Sequence, residues 1–233
     1  MTLSIIVPTL EEAGPIGATI DAALALGSDV EVIVVDGGSD DGTAAIARRH
    51  GARVIEAADR GRARQMNQGA AAARGEVLLF LHADTILPTD AAAAIAAVLA
   101  DGQVAGGCFR LRFDHDHLVL RLSSALSGLG FRLFHYGDSA YFVRRATFWE
   151  MGGFQAMPLL EDLDFWLRLN RAHRVAVAPA TVLTSARRFR QVGVVRQQAL
   201  GTLIVLLYLV GVGAPRLARL YHRFTRFRTA EVA

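Results

Sequence analysis

Three carboxylates each follow a short apolar, strand-like run. Leu3–Pro8 leads into Thr9-Leu10-Glu11-Glu12, Val30–Val35 leads into Asp36-Gly37-Gly38-Ser39, and Glu76–Leu81 leads into His82-Ala83-Asp84. A rim carrying Glu11, Asp36 and Asp84 repels a diphosphate on its own. It holds one through a divalent cation that bridges carboxylate and phosphate oxygens. Asp36 can instead accept the imino N–H of a base, and Glu11 a ribose or amide donor. Backbone amides at 37–39 and the Ser39 hydroxyl suit the same nucleotide. The plain alternative for Asp36 to Gly42 is a turn with a helix cap, and Glu12, Asp40 and Asp41 read as solvated turn residues.

The elements that must position these groups alternate. Helical patterning is expected at 14–26, 42–49, 61–73 and 89–100, between strands at 3–8, 30–36, 52–56 and 76–81. Such alternation argues for an α/β fold with a mainly parallel central sheet flanked by helices. Ligands then bind beyond the carboxyl ends of the strands, where the three acids stand. After residue 101 the pattern loosens. Strands are expected at 104–113, 140–144 and 175–182, and helices at 117–134 and 161–171.

Composition narrows the chemistry. All 25 basic residues are Arg, which excludes a phosphate-binding P-loop lysine and Schiff-base chemistry. The single Cys108 excludes an internal disulfide framework and a cysteine-based zinc site. Up to residue 164 there are 13 Arg against 21 acids, a net −8; beyond it there are 12 Arg against one acid, a net +11. With mean hydropathy +0.32 the chain is not disordered. The one long apolar run, Ala199–Ala214, is short for a membrane span at ~1.5 Å per residue. With Arg196 before it and Arg216, Arg219, Arg223, Arg226 and Arg228 after it, an interfacial helix on anionic lipid is the first reading. A packing or dimer helix and a true span are the alternatives.

SIIVPTLEE, VVDGGSDDGT, LHADT and LLEDLDFWLRL, in that order and spacing, resemble the motifs of family-2 glycosyltransferases of the GT-A fold. The resemblance covers residues 1–190, leaving 191–233 as a C-terminal apolar and basic helical tail. RGRARQMNQGAAAARGEVLLFLHADT, GDSAYFVRR and TSARRF further resemble a bacterial subgroup linked to arsenosugar biosynthesis, itself similar to carotenoid-acid glucosyltransferases. The resemblance implies a nucleotide-sugar site at Pro8, Thr9, Glu11, Asp36, Gly38, Ser39 and Ala83. It adds one Arg of the following helix, with Arg64 favoured over Arg60 and Arg62. Asp84 is the implied Mn²⁺ or Mg²⁺ ligand. His82 stands where the family has the first Asp of Asp-x-Asp, and is a second candidate ligand suited better to Mn²⁺. Glu161-Asp162 resembles the catalytic-base motif, with Asp162 as the base and a single-displacement, inverting transfer to a hydroxyl or carboxyl acceptor. Gly137 and Asp138 fall on the acceptor side. Arg187 and Arg188 fall where relatives contact the diphosphate or acceptor, although the Gln-x-x-Arg-Trp motif is missing.

The implied partners are a nucleotide sugar, with UDP favoured, a small or lipid-linked acceptor, and a membrane surface. The implied location is the cytoplasmic face of the cell membrane. A dinucleotide oxidoreductase is disfavoured because strand one runs into PTLEEAG and not a Gly-x-Gly-x-x-Gly turn. A nucleotidyltransferase lacks its lysine, and the tail does not interleave Arg with aromatics as a nucleic-acid groove does. A non-catalytic nucleotide-sugar-binding or assembly protein is the competing class.

Overall fold

The structure is a computed structural model that describes residues 1–57, 61–127 and 139–225. Gly137, Asp138, Arg60, Arg226 and Arg228 lie outside the described residues. Strands β1 (Leu3–Thr9), β2 (Val30–Asp36), β3 (Arg53–Glu56) and β4 (Val77–Phe80) are parallel neighbours in the order β3-β2-β1-β4. The sheet continues through β7 (Tyr141–Arg144), antiparallel to both β4 and β6 (Val104–Phe113). Strand β8 (Arg174–Thr184) then runs parallel to β6, and β5 (Thr85–Ile86) closes the edge antiparallel to β8. The two-residue β5 is not expected from the sequence, because two residues carry no alternation.

Period-two alternation sorts the apolar residues into two layers. Leu3, Ile5 and Val7 of β1 face a core shared with Ile16 and Ile20 of α1 (Ile16–Leu24) and Ile95 of α4 (Ala91–Leu99). Ile6, Ile33 and Val35 face the other way. They meet Met66 and Ala70 of α3 (Arg62–Ala72), Phe148 of α6 (Arg145–Glu150), and Phe165 and Trp166 of α7 (Glu161–Ala172). Helix α2 (Thr43–Arg49) connects β2 to β3, and α5 (Leu118–Ser127) follows β6.

Helix α3 lies close on the sheet. A Cβ added at Gly69 would stand 2.5 Å from Ile6 Cγ2 and 3.1 Å from Val35 Cγ2. Buried Gln65, one turn earlier, donates from Nε2 to the carbonyls of Thr9 and Val35, each at 2.9 Å. The helix therefore clamps the last residues of β1 and β2 at the sheet's carboxyl edge.

The C-terminal helices are α8 (Arg187–Val192), α9 (Val194–Leu209) and α10 (Ala214–Thr225). The apolar run of 199–214 is not one helix: it is broken after Leu209, with Gly211 at φ +91° and Gly213-Ala214-Pro215 starting the next element. Among the described residues no helix is long and apolar enough to cross a membrane, so the spanning alternative does not hold. Leu200, Ile204 and Val205 of α9 and Leu217 of α10 bury against Leu160 and Leu163 at the start of α7. Tyr208 donates its hydroxyl to Asp164 at 2.9 Å, and burial followed by that carboxylate pushes the phenol up to about 12. The tail helices thus brace the N-terminal turn of α7. The opposite side of α9 leaves Val195, Leu203, Leu206 and Val210 exposed.

Gly69→Val forces a branched side chain into the Ile6–Val35 contact. Stability is expected to fall by about 2 kcal/mol or more, read from urea unfolding. An unchanged midpoint would mean that α3 is free to lift from the sheet.

Candidate active site

The β1 and β2 ends are wired together before any ligand is considered. The buried Asp36 carboxylate accepts four hydrogen bonds. Thr9 Oγ1 (2.9 Å) and Ser39 Oγ (2.6 Å) donate to one oxygen, and the Gly38 (3.1 Å) and Ser39 (2.8 Å) amides donate to the other. That fills the acceptor capacity of a carboxylate. An imino N–H of a base reaches Asp36 only by replacing one of these donors. Glu11 sits at φ +56°, a left-handed conformation that costs a non-glycine residue energy. Its amide donates to Ser39 Oγ (2.9 Å) and its carboxylate accepts from the Asp40 amide (2.7 Å), which lashes the β1 loop to the β2 turn. Asp41 accepts from the amides of Thr43 and Ala13, so it satisfies the first amide of α2 and ties the same two loops.

Beyond β4 the chain turns at Ala83-Asp84, where the Thr85 amide donates to the His82 carbonyl at 3.2 Å, and exposure alternates. Leu81, Ala83 and Thr85 are buried, while His82 and Asp84 are half-buried. His82 lines the cleft beside Arg62, and Asp84 lies near Arg187. Ala83 faces the core, and its carbonyl accepts from Thr19 Oγ1 of α1 at 2.7 Å. The β8–α8 turn closes over this segment, with the Ser185 amide donating to the Asp84 carbonyl at 3.1 Å. Arg187 then reaches across to Glu12, its NH2 lying 2.8 and 2.9 Å from the two carboxylate oxygens and 3.9 Å from Asp84 Oδ2. Glu12 is thus no idle turn residue. Burial raises its carboxyl above the usual range, Asp84 adds to this, and Arg187 opposes it. Arg188 is exposed beside the pair.

The second group of acids enters from α7. Leu160, at φ +67°, turns the chain so that Glu161 and Asp162 open the helix with side chains only 4% and 8% exposed. Asp162 Oδ1 accepts from the Leu163 amide at 2.7 Å. Arg62, at the start of α3, spans to both acids: its Nε donates to Glu161 Oε1 and its NH2 donates to Asp162 Oδ2 at 3.0 Å. Its third nitrogen lies 3.5 Å from His82 Nε2. A narrow cleft is lined by Pro8, Arg62, Phe80, His82, Tyr141 and Asp162, among others. Tyr141 stacks on Trp166 below it, with ring centroids 5.2 Å apart.

The structure therefore brings Pro8, His82, Asp162 and Arg62 into one cleft. Asp84, Glu12 and Arg187 form an adjoining corner, and Thr9, Asp36, Gly38, Ser39 and Glu11 form the flanking loops. Arg64 is placed on the exposed side of α3. Of the three candidate arginines, Arg62 is the one that lines the cleft, although Arg64 is favoured from the sequence. The phase of the helix carried the signal: Ala63, Met66 and Ala70 are its buried face, which Arg62 adjoins and Arg64 does not. The Glu12–Arg187 pair spans 175 positions and leaves no local signal. Among the described residues no group of three or more His, Cys, Asp or Glu side chains forms a ready-made metal cage.

Asp36→Asn exchanges two acceptor positions for an amide N–H₂ that faces donors. A loss of about 2 kcal/mol in stability is expected, together with a disordered β2 turn, read by unfolding and amide exchange. Full retention of both would show that the four hydrogen bonds do not organise the loops.

Residues 4–157 match the family described as Glycosyl transferase family 2. A PGL/p-HBAD biosynthesis glycosyltransferase of Mycobacterium bovis is 32% identical over 186 residues, covering 71% of this chain and 68% of that protein. Among solved structures, a mannosyltransferase from Pyrobaculum calidifontis in complex with GDP-Man and Mn²⁺ superposes with a TM-score of 0.72. It is 19% identical and the match covers 98% of this chain and 70% of that one. Glucosyl-3-phosphoglycerate synthase from Mycobacterium tuberculosis, in complex with Mn²⁺, UDP and glucosyl-3-phosphoglycerate, gives a TM-score of 0.63 at 22% identity, covering 91% and 80%. The family match over residues 4–157 and the likeness in fold agree, and the chain belongs to glycosyltransferase family 2, with the GT-A fold.

Proposed function

We propose that the chain transfers a sugar from a nucleoside-diphosphate donor, a UDP-sugar first, to a hydroxyl or carboxyl acceptor with inversion at the anomeric carbon. The observation that carries this is the position of Asp162. Its carboxylate lines the cleft that runs from the β1 and β4 ends, with one oxygen fixed by the Leu163 amide and the other held by Arg62. Asp162 takes the proton of the acceptor hydroxyl as that oxygen attacks and the nucleoside diphosphate departs. A carboxylate acceptor arrives already ionised and needs no base.

The nucleoside lies along Pro8, Thr9 and the Asp36–Ser39 turn, with Glu11 and Ala83 flanking it and Arg64 at its outer edge. Arg187 and Arg188 neutralise the diphosphate from the β8–α8 turn, and Glu161 holds the helix start. Gly137 and Asp138 are the acceptor-side residues. Asp84, with His82 beside it, would hold Mn²⁺ or Mg²⁺. The donor set suits such a cation, which uses one or two protein ligands and takes the rest from phosphates and water. His82 and Asp84, with Glu12 held by Arg187 in the adjoining corner, are that kind of partial site. When bound, the cation supplies charge neutralisation for the departing diphosphate.

A second surface bears on the acceptor. Leu118 and Leu122 of α5 and Val195, Leu203 and Leu206 of α9 are exposed, and they flank a shallow groove of about 460 Å³ lined by Val119, Ala199 and Thr202. Exposed Arg216, Arg219 and Arg223 on α10 follow in sequence. An apolar face beside a basic helix suits an anionic lipid surface at the cytoplasmic side of the membrane, and with it a lipid-linked acceptor. The likeness to the arsenosugar-type subgroup points instead to a small acceptor. Cosedimentation with phosphatidylglycerol vesicles, lost in Leu203→Glu/Leu206→Glu, supports the membrane surface. Binding to neither these nor neutral vesicles, with a dimer in light scattering, assigns the face to a second copy.

Thermal shift with Mn²⁺ and UDP-, GDP- and TDP-sugars, followed by slow donor hydrolysis, tests the main reading. Asp162→Asn is expected to keep the shift and lose turnover by about 10²-fold or more. No shift with any donor supports the assembly-protein alternative, and unchanged turnover removes Asp162 as the base.

A further inference from the structure

Arg62 stands where the proposed base needs to be open. Asp162 has two carboxylate oxygens. Oδ1 takes the Leu163 amide, so Oδ2 is the one left to receive a proton, and Arg62 covers it at 3.0 Å. The same guanidinium holds Glu161 through Nε and lies against His82 through NH1. It joins α3, the end of β4 and the start of α7. Both acids are almost fully buried while Arg62 is 30% exposed, so the guanidinium is the charge that balances them and also the part of the cluster a ligand can touch. Two neighbouring carboxylates removed from water require such a countercharge.

A diphosphate entering this cleft meets Arg62 from its exposed side. Guanidinium binds phosphate oxygens through paired N–H donors, and a diphosphate offers more negative charge than the one carboxylate oxygen that NH2 now holds. Glu161 retains Nε, so the guanidinium can pivot without leaving its place.

We propose that Arg62 is a positioning residue that masks Asp162 in the free protein and is drawn onto the donor's diphosphate, so that the base is exposed only once the donor is bound. The proposal rests on Asp162 being the base. Its consequence is ordered binding, donor before acceptor, with no need for a separate lid.

The mask makes Asp162 a competitor of the diphosphate for one side chain, and binding alone can measure that competition. Isothermal titration of Mn²⁺ with UDP, and separately with GDP, is run on the wild type, Asp162→Asn, Arg62→Gln and the double variant. Arg62→Gln is expected to weaken binding. Asp162→Asn is expected to strengthen it, and the gain in the presence of Arg62 should exceed the gain in the Arg62→Gln background by about threefold or more. Arg62→Lys keeps a charge without the paired donors and should fall between. A purely structural Arg62 lowers thermal stability but leaves the Asp162→Asn gain equal in both backgrounds, which overturns the proposal, as does weaker binding in Asp162→Asn. Loss of sugar transfer in Asp162→Asn with equal gains keeps the base and removes the mask. No nucleotide binding by the wild type removes both.

Discussion

Charge balance at the carboxyl edge of the sheet is the constraint on which the rest depends. Glu12, Asp36, Asp84, Glu161 and Asp162 converge there from β1, β2, the segment after β4, and α7. Each is answered in a different way. Asp36 is saturated by hydroxyls and amides of its own turn. Glu12 is answered by Arg187 and the α7 pair by Arg62. Asp84 lies 3.9 Å from the same Arg187 guanidinium.

The scaffold serves that edge. Helix α3 approaches the sheet closely at Gly69, clamps β1 and β2 through Gln65, and presents Arg62 at its first turn. Helix α7 presents its acids after a left-handed Leu160, an energetic cost that packing on α9 and α10 and the Tyr208–Asp164 hydrogen bond offset. The tail is therefore part of the machinery that holds Asp162, whatever else its exposed face touches. Glu11, Ala140 and Leu160, the non-glycine residues at positive φ among those described, stand at β1's end, before β7 and before α7. All three mark turns that deliver chains to the cleft.

Much of this was legible in the sequence because the strands and helices are regular. The β-branched runs and their closing acids marked the parallel half and its acidic edge. What escaped was set by long-range packing. The insertion of β7 between β4 and β6, the two-residue β5 and the Glu12–Arg187 bridge each depend on partners far apart in the chain. Helical phase alone puts Arg62, one of the candidate arginines, next to the side buried by Ala63, Met66 and Ala70. The apolar run at 199–214 misled as a single unit because composition does not mark the break at Gly211 and Gly213, where backbone conformation decides.

The central claim is that this edge holds a nucleoside diphosphate between Asp84, Arg187 and Arg62, with Asp162 facing the sugar. A crystal structure with UDP and Mn²⁺, phased to show the manganese anomalous signal, tests it most directly. The account predicts the metal peak on Asp84, the diphosphate within hydrogen-bond distance of the Arg62 and Arg187 guanidinium groups, and Asp162 Oδ2 free of Arg62. A nucleotide bound elsewhere, or one bound here with Arg62 still on Asp162 and no metal at Asp84, would contradict it.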